Sequence, residues 1–228
     1  TLRRAEIRFG GWTGDGLLRQ ARFLALREDL PVALTPSPAP AITHADRVAF
    51  PQANVTKGEI AAYYEAVAER IAPHLQGRLV SIVRAPESVE ETFFQRHPLK
   101  GMEKGVTPFD VEGETYMALD GELGLHTAAQ FGAIELHGWM SRMDAIDAPD
   151  RMVFDLDPDE GLPFAEVKRA AQDIAKALKG LGLKSWPLVS GGKGVHVVLP
   201  LDGSAEYAET EAFAKGFAQA LAAHQPER

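Results

Sequence analysis

Residues 151–200 read RMVFDLDPDEGLPFAEVKRAAQDIAKALKGLGLKSWPLVSGGKGVHVVLP, and this stretch contains three strand-like apolar runs and one long amphipathic helix. The apolar runs at 152–156, 185–189 and 195–199 are typical of strands, and the segment 164–181 repeats apolar residues at the spacing of one helical face. The order strand, helix, strand, tight turn, strand predicts a sheet with one helix packed on its back.

Two aspartates, Asp155 and Asp157, share one face of the first of these strands, because successive side chains of a strand alternate. Two carboxylates about 7 Å apart on a half-buried face repel each other. Either the pKa of one carboxyl group rises, or a divalent cation neutralises the pair.

A glycine-rich turn, residues 190–194 (SGGKG), precedes the last strand. Its glycines let backbone N–H groups approach an anion closely, while Lys193 supplies a positive charge and Ser190 a hydroxyl. Its spacing differs from that of a Walker A loop. A hairpin turn with a solvated lysine explains these residues equally well by themselves. The D-x-D strand beside the turn favours the phosphate site.

Together these motifs resemble a known family. Residues 154–158 (FDLDP) and 190–196 (SGGKGVH) resemble motifs I and II of the polymerase domain of bacterial ATP-dependent DNA ligase D. That polymerase domain belongs to the archaeo-eukaryotic primase superfamily and serves non-homologous end joining. The resemblance covers about four-fifths of the chain and includes 42–47 (ITHADR), 56–58 (TKG), 93–94 (FF) and 132–137 (GAIELH). It implies an α/β (α+β) primase-like polymerase fold with a central mixed sheet flanked by helices.

The resemblance also implies roles for individual residues. Asp155 and Asp157 are expected to be catalytic and to hold two divalent ions, Mn²⁺ or Mg²⁺, for in-line attack by a primer 3′-hydroxyl. The other expected contacts are nucleotide binding by His137, Ser190, Lys193, Gly194 and His196, DNA 5′-phosphate binding by His44, Arg47 and Lys57, and template contact by Phe94 and Arg84. The chain departs from the family with His44, where Asn is common, and with Arg47 in place of Lys; Arg keeps the capacity to bind phosphate.

The implied function is that of a DNA-end-repair nucleotidyltransferase of polymerase or primase type. It adds nucleotides, by expectation ribonucleotides, to primer 3′-hydroxyls at double-strand breaks. Expected partners are DNA ends with 5′-phosphate, nucleoside triphosphates, a fused ligase domain and a Ku-type end-binding protein. Two alternatives stay open: a non-catalytic DNA-end-binding module, and a haloacid-dehalogenase-type phosphatase with Asp155 as nucleophile and Asp157 as acid.

Local patterns predict how several of these residues are placed. Thr56 and Glu59 form the pattern of a capping box, and the helix that follows ends at Pro73, with an apolar face of Ile60, Tyr63, Tyr64, Val67 and Ile71. Lys57 lies in the first turn, and a cation beside free backbone N–H groups indicates a shared anion site.

Further along the chain, two aromatic residues and two helices carry predictions. Of the neighbours Phe93 and Phe94, one is expected in the core and one outside, where it can stack on an unpaired base. A helix over 121–131 and a strand over 134–136 place His137 at a strand end. A last helix over 204–223 begins at an N-cap serine, and Asp202 and Glu206 are expected to be caps or solvated groups.

The first thirty residues differ from the rest. They resemble the end of the OB domain of an ATP-dependent DNA ligase, although Leu17, Leu18, Ala21, Leu24 and Ala25 also fit an amphipathic helix. The favoured organisation is a C-terminal remnant of a ligase OB domain at 1–30, a Pro-rich linker at 31–42 and the primase-like polymerase domain at 43–228. That domain is expected to be C-terminally incomplete and to lack a third metal carboxylate, so that primer extension would be very slow or absent.

Composition narrows the class of protein. The 228 residues are 45% hydrophobic and include no cysteine, which suits a packed domain in a reducing compartment, and a bacterial cytoplasmic, nucleoid-associated location without a membrane is expected. The net charge of −8 argues against a protein that coats nucleic acid. Residues 111–150 hold eight acids and one arginine, so charges elsewhere nearly balance and leave room for a local basic groove.

Overall fold

The computed structural model describes residues 4–8, 11–12, 18–19, 22–27, 41–189 and 191–224. The chain divides into two compact units, Thr1–Ala41 and Ile42–Arg228. This division falls beside the end of the Pro-rich linker, while the nature of the three predicted segments stays a prediction.

Within its described residues, the first unit contains two antiparallel strand pairs. Arg4–Arg8 (β1) pairs with Arg22–Arg27 (β4), and Gly11–Trp12 (β2) pairs with Leu18–Arg19 (β3). The alternative of an amphipathic helix is therefore wrong for Leu18, Leu24 and Ala25, while Leu17 and Ala21 lie outside the described residues. Helical spacing was misleading here because pairing with a segment distant in sequence determines the strand conformation.

The second unit contains twelve strands and four helices within its described residues. Its strands are Val48–Phe50 (β5), Val55–Thr56 (β6), Val80–Arg84 (β7), Phe93–Gln95 (β8), Val106–Val111 (β9), Glu114–Leu119 (β10), Ala133–Gly138 (β11), Ser141–Arg142 (β12), Ala145–Pro149 (β13), Arg151–Leu156 (β14), Trp186–Leu188 (β15) and Val195–Pro200 (β16). Its helices are Lys57–Leu75 (α1), Gly121–Gln130 (α2), Phe164–Gly180 (α3) and Tyr207–His224 (α4).

The α/β class is confirmed, but among the described residues the strands form several small sheets and not the predicted central mixed sheet. Two of these sheets have three strands, in the orders β11-β7-β8 and β14-β16-β15, and the others have two. Every strand pair among the described residues is antiparallel. No helix in this part of the chain combines the length and the apolar content that crossing a bilayer requires.

A first hydrophobic core joins α1 and α2 to β7, β9, β10 and β11. Its buried side chains include Tyr64, Ile82, Met117 and Leu125. Tyr64 donates its hydroxyl hydrogen to the Ala133 carbonyl oxygen at 3.2 Å, and burial raises the pKa of this phenol to about 12. A buried hydroxyl without such an acceptor would destabilise the fold.

Helix α1 begins at the predicted capping box. The Thr56 hydroxyl accepts from the Glu59 N–H at 3.2 Å, and the Glu59 carboxylate accepts from the Thr56 N–H at 2.8 Å. Pro73 does not end the helix, which runs to Leu75, because a proline in the last turn removes a single helical hydrogen bond. Tyr63, expected on the apolar face, is 59% exposed.

A second core lies between α3, α4 and the sheet β14-β16-β15. Its buried members are Met152, Val167, Ala171, Ile174, Leu178, Val195, Val197 and Leu199. The predicted sheet with a helix on its back is thus confirmed. Burying one large aliphatic side chain contributes about 1.5–3 kcal/mol to the free energy of unfolding, so this packing is the main stabilising term for the sheet.

Helix α4 starts three residues later than Ser204, the predicted N-cap. Ser204 instead donates from its N–H and its hydroxyl to Asp202 Oδ1, at 3.0 and 2.6 Å. The N–H of Glu206 is accepted by the Glu209 carboxylate at 3.1 Å, so the helix begins at Tyr207. Asp202 and Glu206 are therefore turn and cap residues, as predicted.

Candidate nucleotide and DNA-end site

The D-x-D strand and the strand after the glycine-rich turn are direct neighbours. In the β14–β16 register Asp155 lies opposite His196, and His196 Nε2 is 3.3 Å from Asp155 Oδ1. Asp157 follows the last residue of β14, and both aspartates are exposed. The premise of a half-buried carboxylate pair was wrong, because the strand end opens to solvent, where repulsion between the two charges is screened.

Gly194 brings the glycine-rich turn against this strand end. A Cβ at Gly194 would be 2.7 Å from the Leu156 carbonyl oxygen, so a side chain there would force the two strands apart. Lys193 is exposed next to it, and Gly191 has φ +98°, a conformation that favours glycine. Ser190, the predicted hydroxyl donor, lies outside the described residues.

The donor set at this strand end suits a hard divalent cation. Mg²⁺ is commonly bound by one or two carboxylates together with substrate phosphates and water, rather than by a closed protein cage. Asp155 and Asp157 fit that pattern, since both are exposed and adjacent to a turn suited to phosphate. Among the described residues, no three acidic or histidine side chains cluster tightly enough to hold a metal by themselves.

His137 lies within a strand rather than at a strand end, because β11 runs from Ala133 to Gly138. Its Nε2 is 2.8 Å from the Glu135 carboxylate, and its ring centroid is 5.9 Å from that of Phe94. Phe94 is 64% exposed on the edge strand β8. The structure thus places the expected template-stacking ring beside the expected nucleotide-binding imidazole.

Phe93 and Phe94 are both exposed, at 49% and 64%, so the expectation of one core aromatic was wrong. The short strand β8 pairs with a single neighbour, and both of its faces stay accessible. Arg84, the other expected template contact, donates from Nε to the Phe131 carbonyl oxygen at 3.0 Å, and burial lowers its pKa. Phe131 is the C-cap of α2, so this guanidinium supports a helix end.

The expected phosphate-binding residues meet at the start of α1. His44 is exposed in the turn that leads to Arg47, whose N–H donates to the His44 carbonyl oxygen at 3.1 Å. Lys57 is buried, and its Nζ donates to the Thr43 carbonyl oxygen at 3.0 Å. Burial lowers the pKa of Lys57 from 10.5, and the positive charge of Arg47 lowers it further.

The backbone N–H groups of this helix start are not free, contrary to the prediction. Lys57 N–H donates to the Arg47 carbonyl oxygen and Gly58 N–H to the Ala45 carbonyl oxygen, each at 2.8 Å. Glu59 N–H is taken by the Thr56 hydroxyl. An anion here would therefore depend on side-chain charge and the helix dipole rather than on vacant N–H groups.

Sequence reasoning missed the groups that hold Arg47. Its Nη1 donates to the Pro86 carbonyl oxygen and lies 3.3 Å from the Glu87 carboxylate. Glu87 is far from Arg47 in sequence and sits in a polar loop, so no local pattern identifies it. Thr43 was also missed, and it exchanges two hydrogen bonds with Gln130 at 3.0 and 2.6 Å, which tie this loop to α2.

Residues 56–228 match the family model of the LigD primase-polymerase domain. The chain belongs to this family. The multifunctional non-homologous end joining protein LigD of Pseudomonas aeruginosa is 31% identical over 98% of this chain, and that of Mycolicibacterium smegmatis is 33% identical over 70% of it. These alignments cover 30% and 22% of the two relatives, so the chain spans less than a third of their length.

A solved structure supports the same conclusion. The polymerase domain of Mycobacterium tuberculosis ligase D, determined in complex with DNA, has a TM-score of 0.72 and 30% identity to this chain. The match covers 82% of this chain and 69% of that one. In this LigD-type domain both motifs at the β14–β16 end fall inside the residues that the family matches, whereas His44 and Arg47 precede them. The phosphatase alternative is thereby excluded.

Proposed function

We propose that this LigD-type domain is a DNA-end-repair nucleotidyltransferase, which adds nucleotides to primer 3′-hydroxyls at double-strand breaks in non-homologous end joining. The observation that carries the proposal is the β14–β16 register, which sets Asp155 opposite His196 and brings Gly194 against Leu156 and Asp157. Carboxylates next to a phosphate-suited turn are the arrangement that phosphoryl transfer needs.

Asp155 and Asp157 would hold the divalent ions, Mn²⁺ or Mg²⁺. Cations bound there would supply neutralisation of triphosphate charge and a lower pKa for the attacking 3′-hydroxyl. His196, 3.3 Å from Asp155, orients that carboxylate and offers its imidazole to the same ligand. Lys193, the backbone at Gly194 and Ser190 would bind the triphosphate on the turn side, and His137 would contact it from β11.

The DNA end would be held at the start of α1. Arg47 and Lys57, with His44 in the adjoining turn, would bind the 5′-phosphate through charge-assisted hydrogen bonds. Phe94 and Arg84 would contact the template strand, and Phe94 would do so by stacking on an unpaired base. The contact between the Phe94 and His137 rings would then place the template base next to the incoming nucleotide.

The remaining parts of the proposal concern partners and the first unit. Strand pairs in 4–27 are compatible with the end of a ligase OB domain, followed by a linker over 31–42 and the polymerase domain from 43. A fused ligase domain, a Ku-type end-binding protein, ribonucleotide substrates and a cytoplasmic, nucleoid-associated location complete the proposal.

A second candidate is a DNA-end-binding module without catalysis. One observation favours it: among the described residues, no three acidic or histidine side chains are grouped so that they could hold a metal ion. Two metal ions about 4 Å apart beside a triphosphate are held more firmly by three carboxylates. On this reading the 5′-phosphate site at α1 would be functional while nucleotide addition is very slow or absent.

One assay separates the two candidates. Recessed DNA ends with and without 5′-phosphate are incubated with ribonucleoside triphosphates and Mn²⁺, and both end affinity and nucleotide addition are measured. Addition that disappears in Asp155→Ala and Asp157→Ala establishes the nucleotidyltransferase. Selective binding of phosphorylated ends without addition establishes the end-binding module, and binding that ignores the phosphate contradicts both.

A further inference from the structure

Two arginines and one aspartate connect the regions that carry the two halves of the proposed site. Arg78 Nη2 donates to Asp150 Oδ2 at 2.5 Å, and both side chains are largely buried, with 11% and 30% exposed. Arg151, the first residue of β14, lies beside them. Arg78, Asp150 and Arg151 are referred to below as the arginine clamp.

The clamp binds the backbone directly after His137. Arg78 Nη1 donates to the Trp139 and Met140 carbonyl oxygens at 3.4 and 3.2 Å. Arg151 Nη2 donates to the Gly138 and Trp139 carbonyl oxygens at 2.9 and 3.0 Å. Three successive carbonyl groups are thus held by two planar guanidinium groups.

Asp150 ties the same group to the second sheet. Its N–H donates to the Met140 carbonyl oxygen at 3.1 Å, and its carbonyl oxygen accepts from Leu201 N–H at 2.8 Å, just beyond β16. Desolvation opposes ionisation of Asp150, but its hydrogen bond to Arg78 and the nearby arginine charges together lower its pKa. The carboxylate therefore stays charged at neutral pH and holds the Arg78 guanidinium.

The clamp lies between two cores that have no residue in common. His137 is on β11, which belongs to the first core, and Asp155 is on β14, which belongs to the second. A triphosphate that contacts both residues requires a constant angle between the two strands. Directional charge-assisted hydrogen bonds restrict such an angle more than apolar contacts do.

The arginine clamp also contains buried polar atoms that lower the stability of the fold, so a contribution to stability does not by itself explain the clamp. Asp150 Oδ1 and Arg151 Nε are buried and make no hydrogen bond within the described part of the chain. Buried ionic groups are often no more stabilising than apolar residues of similar size, and one established use of them is conformational specificity.

We propose that Arg78, Asp150 and Arg151 are positioning residues, which set the β11 strand with His137 and the β14 strand with Asp155 at the separation that a nucleoside triphosphate bridges. This inference rests on the proposed function for its ligand. The clamp itself does not touch the nucleotide.

The first test compares ligands that bind residues of one core only with a ligand that binds residues of both β11 and β14. Mn²⁺ alone uses Asp155 and Asp157, a 5′-phosphorylated DNA end uses Arg47 and Lys57, and ATP with Mn²⁺ bridges both strands. In Asp150→Asn and Arg78→Lys, ATP affinity with Mn²⁺ is expected to fall roughly tenfold, as for residues that couple two sites. The affinities for Mn²⁺ and for the DNA end are expected to stay within about twofold. Asp144→Asn removes the same charge from an exposed position nearby and is the control.

A second measurement needs no ligand. The chain has no cysteine, so Glu65→Cys on α1 and Lys168→Cys on α3 provide two unique, exposed sites for spin labels. The distribution of distances between the labels is expected to broaden in Asp150→Asn and in Arg78→Lys, and to keep its width in Asp144→Asn. Circular dichroism shows which variants fold. If Asp150→Asn does not fold, Arg78→Lys, which keeps the positive charge, is used for both measurements.

Broader distances together with a selective loss of ATP affinity support the inference. An unchanged distribution overturns it, as does a broader distribution with full ATP affinity, or an equal loss for all three ligands. If the unmutated chain binds no ATP, the proposed function fails, and the width of the distribution still decides whether the clamp holds the two strands.

Discussion

The D-x-D end of β14 and the start of α1 are both proposed to bind phosphate-bearing ligands, yet they are built in opposite ways. Asp155 is 63% exposed, with His196 beside it. Lys57 is buried against the Thr43 carbonyl oxygen, and Arg47 is already bound to Pro86 and Glu87. The first site leaves its ligand to organise it, whereas the second is organised in advance by groups of the protein itself.

The two sites differ in how their charged groups are stabilised before a ligand binds. Two exposed carboxylates are solvated by water until a cation arrives, so the free protein needs no partner for them. A buried ammonium has lost water and therefore takes a carbonyl oxygen, and a guanidinium takes a carboxylate. Ligands at the α1 start must replace existing contacts, while ligands at the D-x-D end need only displace water.

The largest effect is expected from Asp155→Ala. Loss of an outer-sphere group already costs 10–100-fold in metal affinity, so loss of this carboxylate should weaken Mn²⁺ binding by about a hundredfold or more. The free energy of unfolding should change by less than about 0.5 kcal/mol, because the side chain is exposed. Calorimetric titration and thermal unfolding measure both. Asp159→Ala is the control, and a tight Mn²⁺ site that survives in Asp155→Ala would remove the metal assignment.

Replacing Arg47 and Lys57 together, by Gln and Met, should weaken binding of 5′-phosphorylated recessed ends at least about tenfold. Charge-assisted hydrogen bonds contribute roughly 1.5–3 kcal/mol each. Fluorescence anisotropy with and without the 5′-phosphate tests it, and Lys176→Gln with Lys179→Met removes the same charge from α3. Equal losses for both kinds of end would mean that these residues supply only diffuse positive charge.

A pH series should reveal the lowered pKa of Lys57. Burial and Arg47 lower this pKa from 10.5, so the ammonium loses its proton earlier as pH rises than an ordinary lysine does. The preference for 5′-phosphorylated ends should therefore decline, by up to about tenfold, at a pH below 10.5. Lys57→Arg should give a flat profile over the same range. A decline of equal size in that variant would assign the titration to another group.

The smallest effect is expected from Glu87→Gln. This substitution removes the carboxylate that competes with phosphate for Arg47, and an exposed ion pair is worth at most about 1 kcal/mol. Binding of phosphorylated ends should tighten about two- to fivefold, most clearly at low salt, with Glu90→Gln as the control. Weaker binding in Glu87→Gln would show that Glu87 orients Arg47 instead of competing for it.

Some features of both sites could be predicted from the sequence alone. The period of two in FDLD and the capping pattern of Thr56 and Glu59 are local, and the structure confirms the strand and the helix start that they predict. Family membership follows from motifs that are contiguous in sequence, and residues 56–228 confirm it. Local patterns succeed here because the hydrogen bonds and side-chain alternation that they encode involve residues only a few positions apart.

Only the tertiary structure determined which hydrogen-bond donors, rings and charged groups contact each other. The Arg47 and Ala45 carbonyl oxygens take the N–H groups at the start of α1, and Phe94 meets His137, although these residues lie far apart in the chain or on different strands. The burial of Lys57, the exposure of both Phe93 and Phe94, and the clamp of Arg78 with Asp150 depend on the same long-range packing. Sequence determines which residues can pair, but desolvation and long-range contacts determine which of them do.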